Sequence, residues 1–62
     1  MSIGEKVRRL RFEKNVTNKE VAEAVGVSEA AISKLVHEDR TLKFENMVRL
    51  ADYFGVTLDD LK

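Results

Sequence analysis

Sixty-two residues make one domain at most, near the lower limit at which buried apolar surface alone holds a fold. The chain has no cysteine and no proline, so neither a disulfide framework nor cysteine-bound zinc stabilises it, and helix packing, with or without dimerisation, must do so. Eleven bases balance eleven acids, a neutral sum unusual for a partner of polyanions.

The charge is unevenly spread. Residues 1–19 carry six bases against two acids and the remainder five against nine, so a local basic face is available on a balanced chain. No apolar run approaches the roughly 20 residues that span a bilayer, and the N-terminus lacks the apolar block of a signal peptide. With the missing cysteines, this leads to the expectation of a soluble, cytoplasmic protein without a membrane partner.

Ile3, Val7 and Leu10 recur at helical spacing, and Gly4 to Lys14 holds good helix formers, which predicts a first helix. Asn15 and Val16 interrupt the pattern. Thr17-Asn18-Lys19-Glu20 then presents a capping box, in which Thr17 accepts from the third amide and Glu20 reaches back to the Thr17 amide. A second helix starts there with Val21, Ala22 and Val25 inward, and Gly26 stands where a helix ends in a left-handed residue.

Ser28 is an N-cap and Glu29 a first-turn acid suited to the helix dipole. A third helix follows to about His37, with Ala31, Ile32 and Leu35 inward. Only Gly26 and Val27 separate the second helix from the cap of the third, so the two must turn sharply, which is the helix-turn-helix pattern. Glu38 to Lys43 is a polar connection. Phe44, Met47, Val48, Leu50, Ala51 and Phe54 mark a fourth amphipathic helix ending at Gly55, and Thr57 caps a last turn through Leu58 and Leu61. The expected fold is all-α, a compact bundle of about five short helices in one domain, residues 1–62, with a helix-turn-helix at about 17–37. Phe12 and Tyr53 fit the core stripes least well and are expected at the surface.

No catalytic constellation is present. His37, the sole histidine, has no cysteine and no helix-spaced Asp or His to complete a metal site. Asp59 and Asp60 follow Thr57 as first-turn acids, and neither Ser28 nor Ser33 has a base and an orienting group for nucleophilic chemistry. The expectation is a protein that is not an enzyme and uses no cofactor and no metal.

From Thr17 through Gly26-Val27-Ser28, then Ile32-Ser33, Arg40, Leu50-Ala51 and Phe54-Gly55-Val56-Thr57-Leu58-Asp59-Asp60-Leu61, the chain resembles the XRE, or phage-repressor and Cro-like, helix-turn-helix family. Each motif alone is weak, but their joint register covers nearly the whole chain. The resemblance implies a lambda-repressor-like domain whose third helix, residues 28–37, lies in the major groove of double-stranded DNA. Ser28, Glu29, Ala30, Ser33 and Lys34 would then read bases, with His37 at the far end. Thr17, Asn18, Arg11, Arg40 and Lys43 would meet phosphates. It implies a transcriptional regulator, repressor or Cro-like, acting as a homodimer, with no small-molecule ligand expected.

Several positions depart from the family's pattern. Val36 replaces a Glu that usually pairs with the arginine at Arg11, leaving Arg11 to snorkel, to find Glu38 or another acid, or to serve a phosphate. Glu38 stands for the usual helix-ending Gly, Asp39 for a base, Leu42 for a Pro and Asn18 for a Gln. Acids beside the presumed DNA face, with neutral net charge and Phe12, also fit a protein-interaction module of the same fold with weak or lost DNA binding. A third reading is the excised N-terminal domain of a longer repressor.

Overall fold

The computed structural model describes residues 2–61, and its helices begin where side-chain oxygens meet the free amides of a first turn. The elements are α1 (Ile3–Lys14), α2 (Asn18–Val25), α3 (Glu29–Glu38), α4 (Phe44–Phe54) and α5 (Leu58–Leu61), with no strand among the described residues. Ser2 caps α1 by accepting from the Glu5 amide at 3.2 Å, so the helix starts at Ile3, the first residue of its apolar periodicity and one before the run of helix formers from Gly4. Thr17 and Glu20 form the expected capping box at α2, both bonds 3.1 Å, and Ser28 Oγ accepts from the Ala31 amide at 3.1 Å at α3. A second capping box, Thr57 with Asp60, opens α5. The hydrogen bond from the Thr57 backbone amide, then that from its hydroxyl, with the Lys6 charge adding, holds the Asp60 carboxyl below the usual carboxylate range.

The helix ends are left-handed residues. Gly26 at φ 87° stops α2 and Gly55 at φ 70° stops α4, where a side chain would be strained. Asn15 and Asp39 take the same role for α1 and α3 at φ 59° and 55°. Because Glu38 replaces the family's usual glycine, α3 continues through Glu38, one residue past the expected end. The stop moves to Asp39, whose short polar side chain tolerates the left-handed region.

The core is formed by Val7 of α1, Val21, Ala22 and Val25 of α2, Ile32, Leu35 and Val36 of α3, Met47, Leu50 and Ala51 of α4, and Leu61 of α5. α3 packs between α1 and α2, α4 lies against α2, and α5 closes over α4 and α1, within 23 × 23 × 22 Å. Truncating a wholly buried Ile32 or Leu35 to Ala costs about 2–5 kcal/mol. Val36, unexpected as an inward residue, is buried at 5% exposure; the position that usually carries an ion-pairing Glu has joined the core.

Three apolar assignments need revision. Phe44 and Val48, expected in the buried stripe of α4, are exposed. At about 100° per residue they lie at the edge of the buried stripe, beyond Ala51 and Met47 and on the side away from Leu50, and that edge is left uncovered. Tyr53, expected at the surface, is half-buried against the core. Its ring packs edge-on to Phe54, centroids 5.1 Å apart, and the Lys14 ammonium lies 4.9 Å from its centroid. Phe12 is exposed as expected.

α1 and α3 meet at Gly4. A Cβ there would strike the Val36 carbonyl oxygen and come within 2.6 Å of Asp39 Oδ1, so only glycine admits this approach. The Gly4 amide donates to that carboxylate at 2.9 Å, joining the N-terminus of α1 to the C-terminal cap of α3.

Candidate nucleic-acid interface

The α2 stop at Gly26, the half-buried Val27 and the Ser28 cap turn the chain so that the inner face of α3 enters the core and its outer face is left to solvent. Ala30, Lys34 and His37, spaced by four and three residues, form the centre of that outer face and are all exposed. Ser33, half-buried, borders it on one side. Glu29 lies about 100° around the helix from Ala30 and Glu38 closes the opposite flank, so the two acids frame the stripe without occupying its middle. Ser28 is exposed at the head of α3; its oxygen is engaged by the Ala31 amide, which leaves the hydroxyl proton to donate.

The second expected set collects at two places. At the start of α2, the Thr17 oxygen accepts from Glu20, and the first amides, those of Asn18 and Lys19, have no intrahelical acceptor, as at any helix start. Asn18 is half-buried, its Oδ1 enclosed without a partner. After α3, Arg40 and Lys43 are both exposed in the connection to α4, and Lys43 stands at the α4 N-cap without a side-chain capping bond.

Arg11 takes a partner within the fold, and its half-exposed side chain leaves a phosphate contact open. Among the described residues no acid pairs with it: Glu38 Oε1 lies 3.5 Å from Arg40 Nε instead. The Arg11 guanidinium donates through Nη1 to the Val16 carbonyl at 3.4 Å, while Nε is enclosed without a partner. It therefore ties α1 to the strand-like residue preceding α2 and is only half-exposed.

Asp39 is the structural residue that the sequence misses. Read from the chain it is an acid beside the presumed DNA face; in the fold its Oδ1 is turned to the Gly4 amide, so the first acid after α3 serves α1. No local motif announces this bond, which joins residues 35 apart in sequence. Arg49 is likewise unmarked, yet its guanidinium lies 3.6 Å from where a Gly26 Cβ would stand, beside the helix-turn-helix corner.

Solved structures share this arrangement. The P22 c2 repressor bound to a synthetic operator superposes with a TM-score of 0.93 at 26% identity, over 98% of this chain and 92% of that one. The restriction-modification controller protein C.AhdI from Aeromonas hydrophila gives 0.86 at 20% identity over 97% and 91%, a likeness of fold alone. Among curated proteins, the HTH-type transcriptional activator BcrR of Enterococcus faecalis is 36% identical over 61 residues, which is 98% of this chain. The chain spans about 30% of that relative's length. Residues 7–61 match the family model described as helix-turn-helix; the chain belongs to that family, in its XRE, phage-repressor-like branch.

Proposed function

We propose that the chain is a sequence-specific DNA-binding unit of a transcriptional regulator, acting in the cytoplasm as a homodimer and carrying out no catalysis, with residues 1–62 as one domain. The observation that carries this reading is the exposed Ala30–Lys34–His37 stripe on a helix held rigidly by Ile32, Leu35 and Val36. α3 enters the major groove with Ser28, Glu29, Ala30, Ser33 and Lys34 at base edges and His37 at the far end. Lys34 donates to guanine O6 and N7, Glu29 accepts from a cytosine amine and Ala30 touches a thymine methyl. Thr17, Asn18, Arg11, Arg40 and Lys43 hold phosphates, the first two at a helix N-terminus whose dipole favours anions.

The relatives support this reading in kind. One is named a transcriptional activator and another was solved on operator DNA. The rival reading, a fold that no longer binds DNA, loses part of its support because Asp39 is engaged with Gly4. Dimerisation is supported by an apolar groove formed by Ile3, Leu42, Phe44, Met47, Leu58 and Leu61. Its wall is the segment that follows α3, yet it includes no residue of the reading stripe, so a second copy seated there leaves that stripe free.

Selection of the protein against a random duplex library at low salt, followed by titration with salt, tests the proposal. The expected result is an enriched motif and an affinity that falls with a log–log slope of about −0.9 for each phosphate contact. An unenriched pool together with salt-independent binding overturns it.

A further inference from the structure

The DNA-binding reading leaves unused the most exposed large apolar side chain among the described residues, Phe12, which is 84% exposed. At about 100° per residue, Phe12 and Glu5 lie opposite Val7 and Lys14, on the face of α1 turned away from the core, with Arg8 and Arg9 on either side. Helical side chains lean toward the N-terminus, so the Phe12 ring covers the turn that carries the two arginines. These four side chains alone line an open cleft of about 420 Å³. Beyond Arg9 lies a second hollow of about 200 Å³, with Leu10 and Val56 as its apolar part and Lys6, Arg9 and Asp60 as its charged lining. Among the described residues no ion pair engages Arg8 or Arg9.

We propose that this outer face of α1 is a docking surface for a protein segment that presents two carboxylates and one base around an apolar side chain. Phe12 is the projecting anchor, the Leu10–Val56 hollow receives the partner's apolar side chain, and the guanidiniums of Arg8 and Arg9 grip carboxylates in the fork geometry that suits them. Aromatic residues and arginine are the side chains enriched in interface cores.

The charge pattern selects this occupant over others. Glu5 in the cleft and Asp60 in the adjoining hollow interrupt the basic run with acids that disfavour a uniformly anionic nucleic-acid backbone, while Glu5 offers a partner's lysine or arginine an acceptor. A second copy of the same face brings four arginines against two glutamates and sets Phe12 against Phe12, which leaves guanidiniums unmatched. The proposal does not depend on α3 binding DNA, and its test reads a different part of the molecule.

Amide correlation spectra of the isotope-labelled full chain are recorded with three probes: a short helical peptide carrying two glutamates and one lysine around a leucine pair, the same peptide with those charges reversed, and a DNA duplex. The acidic peptide is expected to shift the amides of residues 5–13 and Val56, and the charge-reversed peptide to leave them in place. Phe12→Ala should weaken the acidic peptide at least roughly tenfold while leaving the rest of the spectrum and the unfolding midpoint unchanged, since the ring has no partner in the core. Silence of residues 5–13 toward the acidic peptide, an equal response to both peptides, or undiminished binding by Phe12→Ala overturns the proposal. So does a duplex response at residues 5–13 as strong as that at residues 28–37. Absence of any duplex response at residues 28–37 counts against the DNA reading, and the peptide arms still decide the α1 face.

Discussion

Single side chains on and after α3 differ in what they can recognise, and this separates reading from holding. Lys34 stands in the middle of the exposed stripe, where a base edge with paired acceptors is the group it can distinguish. Arg40 sits in the following connection, 68% exposed, with Glu38 at 3.5 Å. An exposed pair of this kind contributes about 0–1 kcal/mol, so the proposed phosphate contact would displace Glu38 readily. Lys34→Ala should therefore relax preference at one base position, losing about 1–3 kcal/mol there, whereas Arg40→Ala should weaken every sequence alike and reduce the salt slope by about 1. Binding matrices for the two variants across a set of single-base operator changes check this; superimposable matrices would reject the division of roles.

At the scale of elements, the decisive joint is that between α1 and α3. Gly4 in a helix ordinarily costs about 1 kcal/mol relative to Ala, so on propensity alone Gly4→Ala should stabilise the protein. The added Cβ, however, meets the Val36 and Leu35 carbonyls and Asp39 Oδ1, backbone atoms for the most part, which cannot swing aside. Gly4→Ala should therefore destabilise the protein by about 1–3 kcal/mol, the usual cost of overpacking, in urea unfolding; an upward shift of the midpoint would mean that the helices are free to part. The same joint explains which features the sequence makes legible. Thr17 with Glu20, Ser28, Gly26 and Thr57 act within a few residues of themselves, and their caps and stops are readable one motif at a time. Asp39 accepting from Gly4, and Arg11 turning to the Val16 carbonyl, depend on which elements become neighbours. Periodicity placed Phe44 and Val48 with the buried residues of α4 because they border the stripe, and only the disposition of the other helices decides which border is covered. Positions on the α3 face were legible as exposed; their chemistry toward a base is carried by residue type and by the family resemblance.

The whole molecule presents its α3 stripe and its apolar groove on separate surfaces, and that separation bears on affinity. One copy offers only the proposed base-reading side chains of α3 and a neutral total charge, so long-range attraction to DNA is small and a lone domain would hold a single half-site loosely. On the proposed assembly, two copies joined through the groove would engage half-sites about one helical turn apart, and the second contact would become intramolecular, raising overall affinity by about 10²–10⁴ without any new contact to DNA. Phe44, 73% exposed at the groove's edge, is the side chain whose exposure in the single chain is best accounted for by such a partner. Phe44→Glu should leave the fold intact, because the ring supports nothing in the core, while placing a charge where two apolar surfaces meet. Sedimentation over a concentration series should show the parent chain self-associating and the variant remaining a monomer. Affinity for a paired operator should fall by roughly 100-fold in the variant, with affinity for a single half-site unchanged. A parent chain that stays monomeric at every concentration and occupies paired operators one copy at a time, with no gain from the second site, would remove the groove from the assembly and leave the α3 surface to act alone.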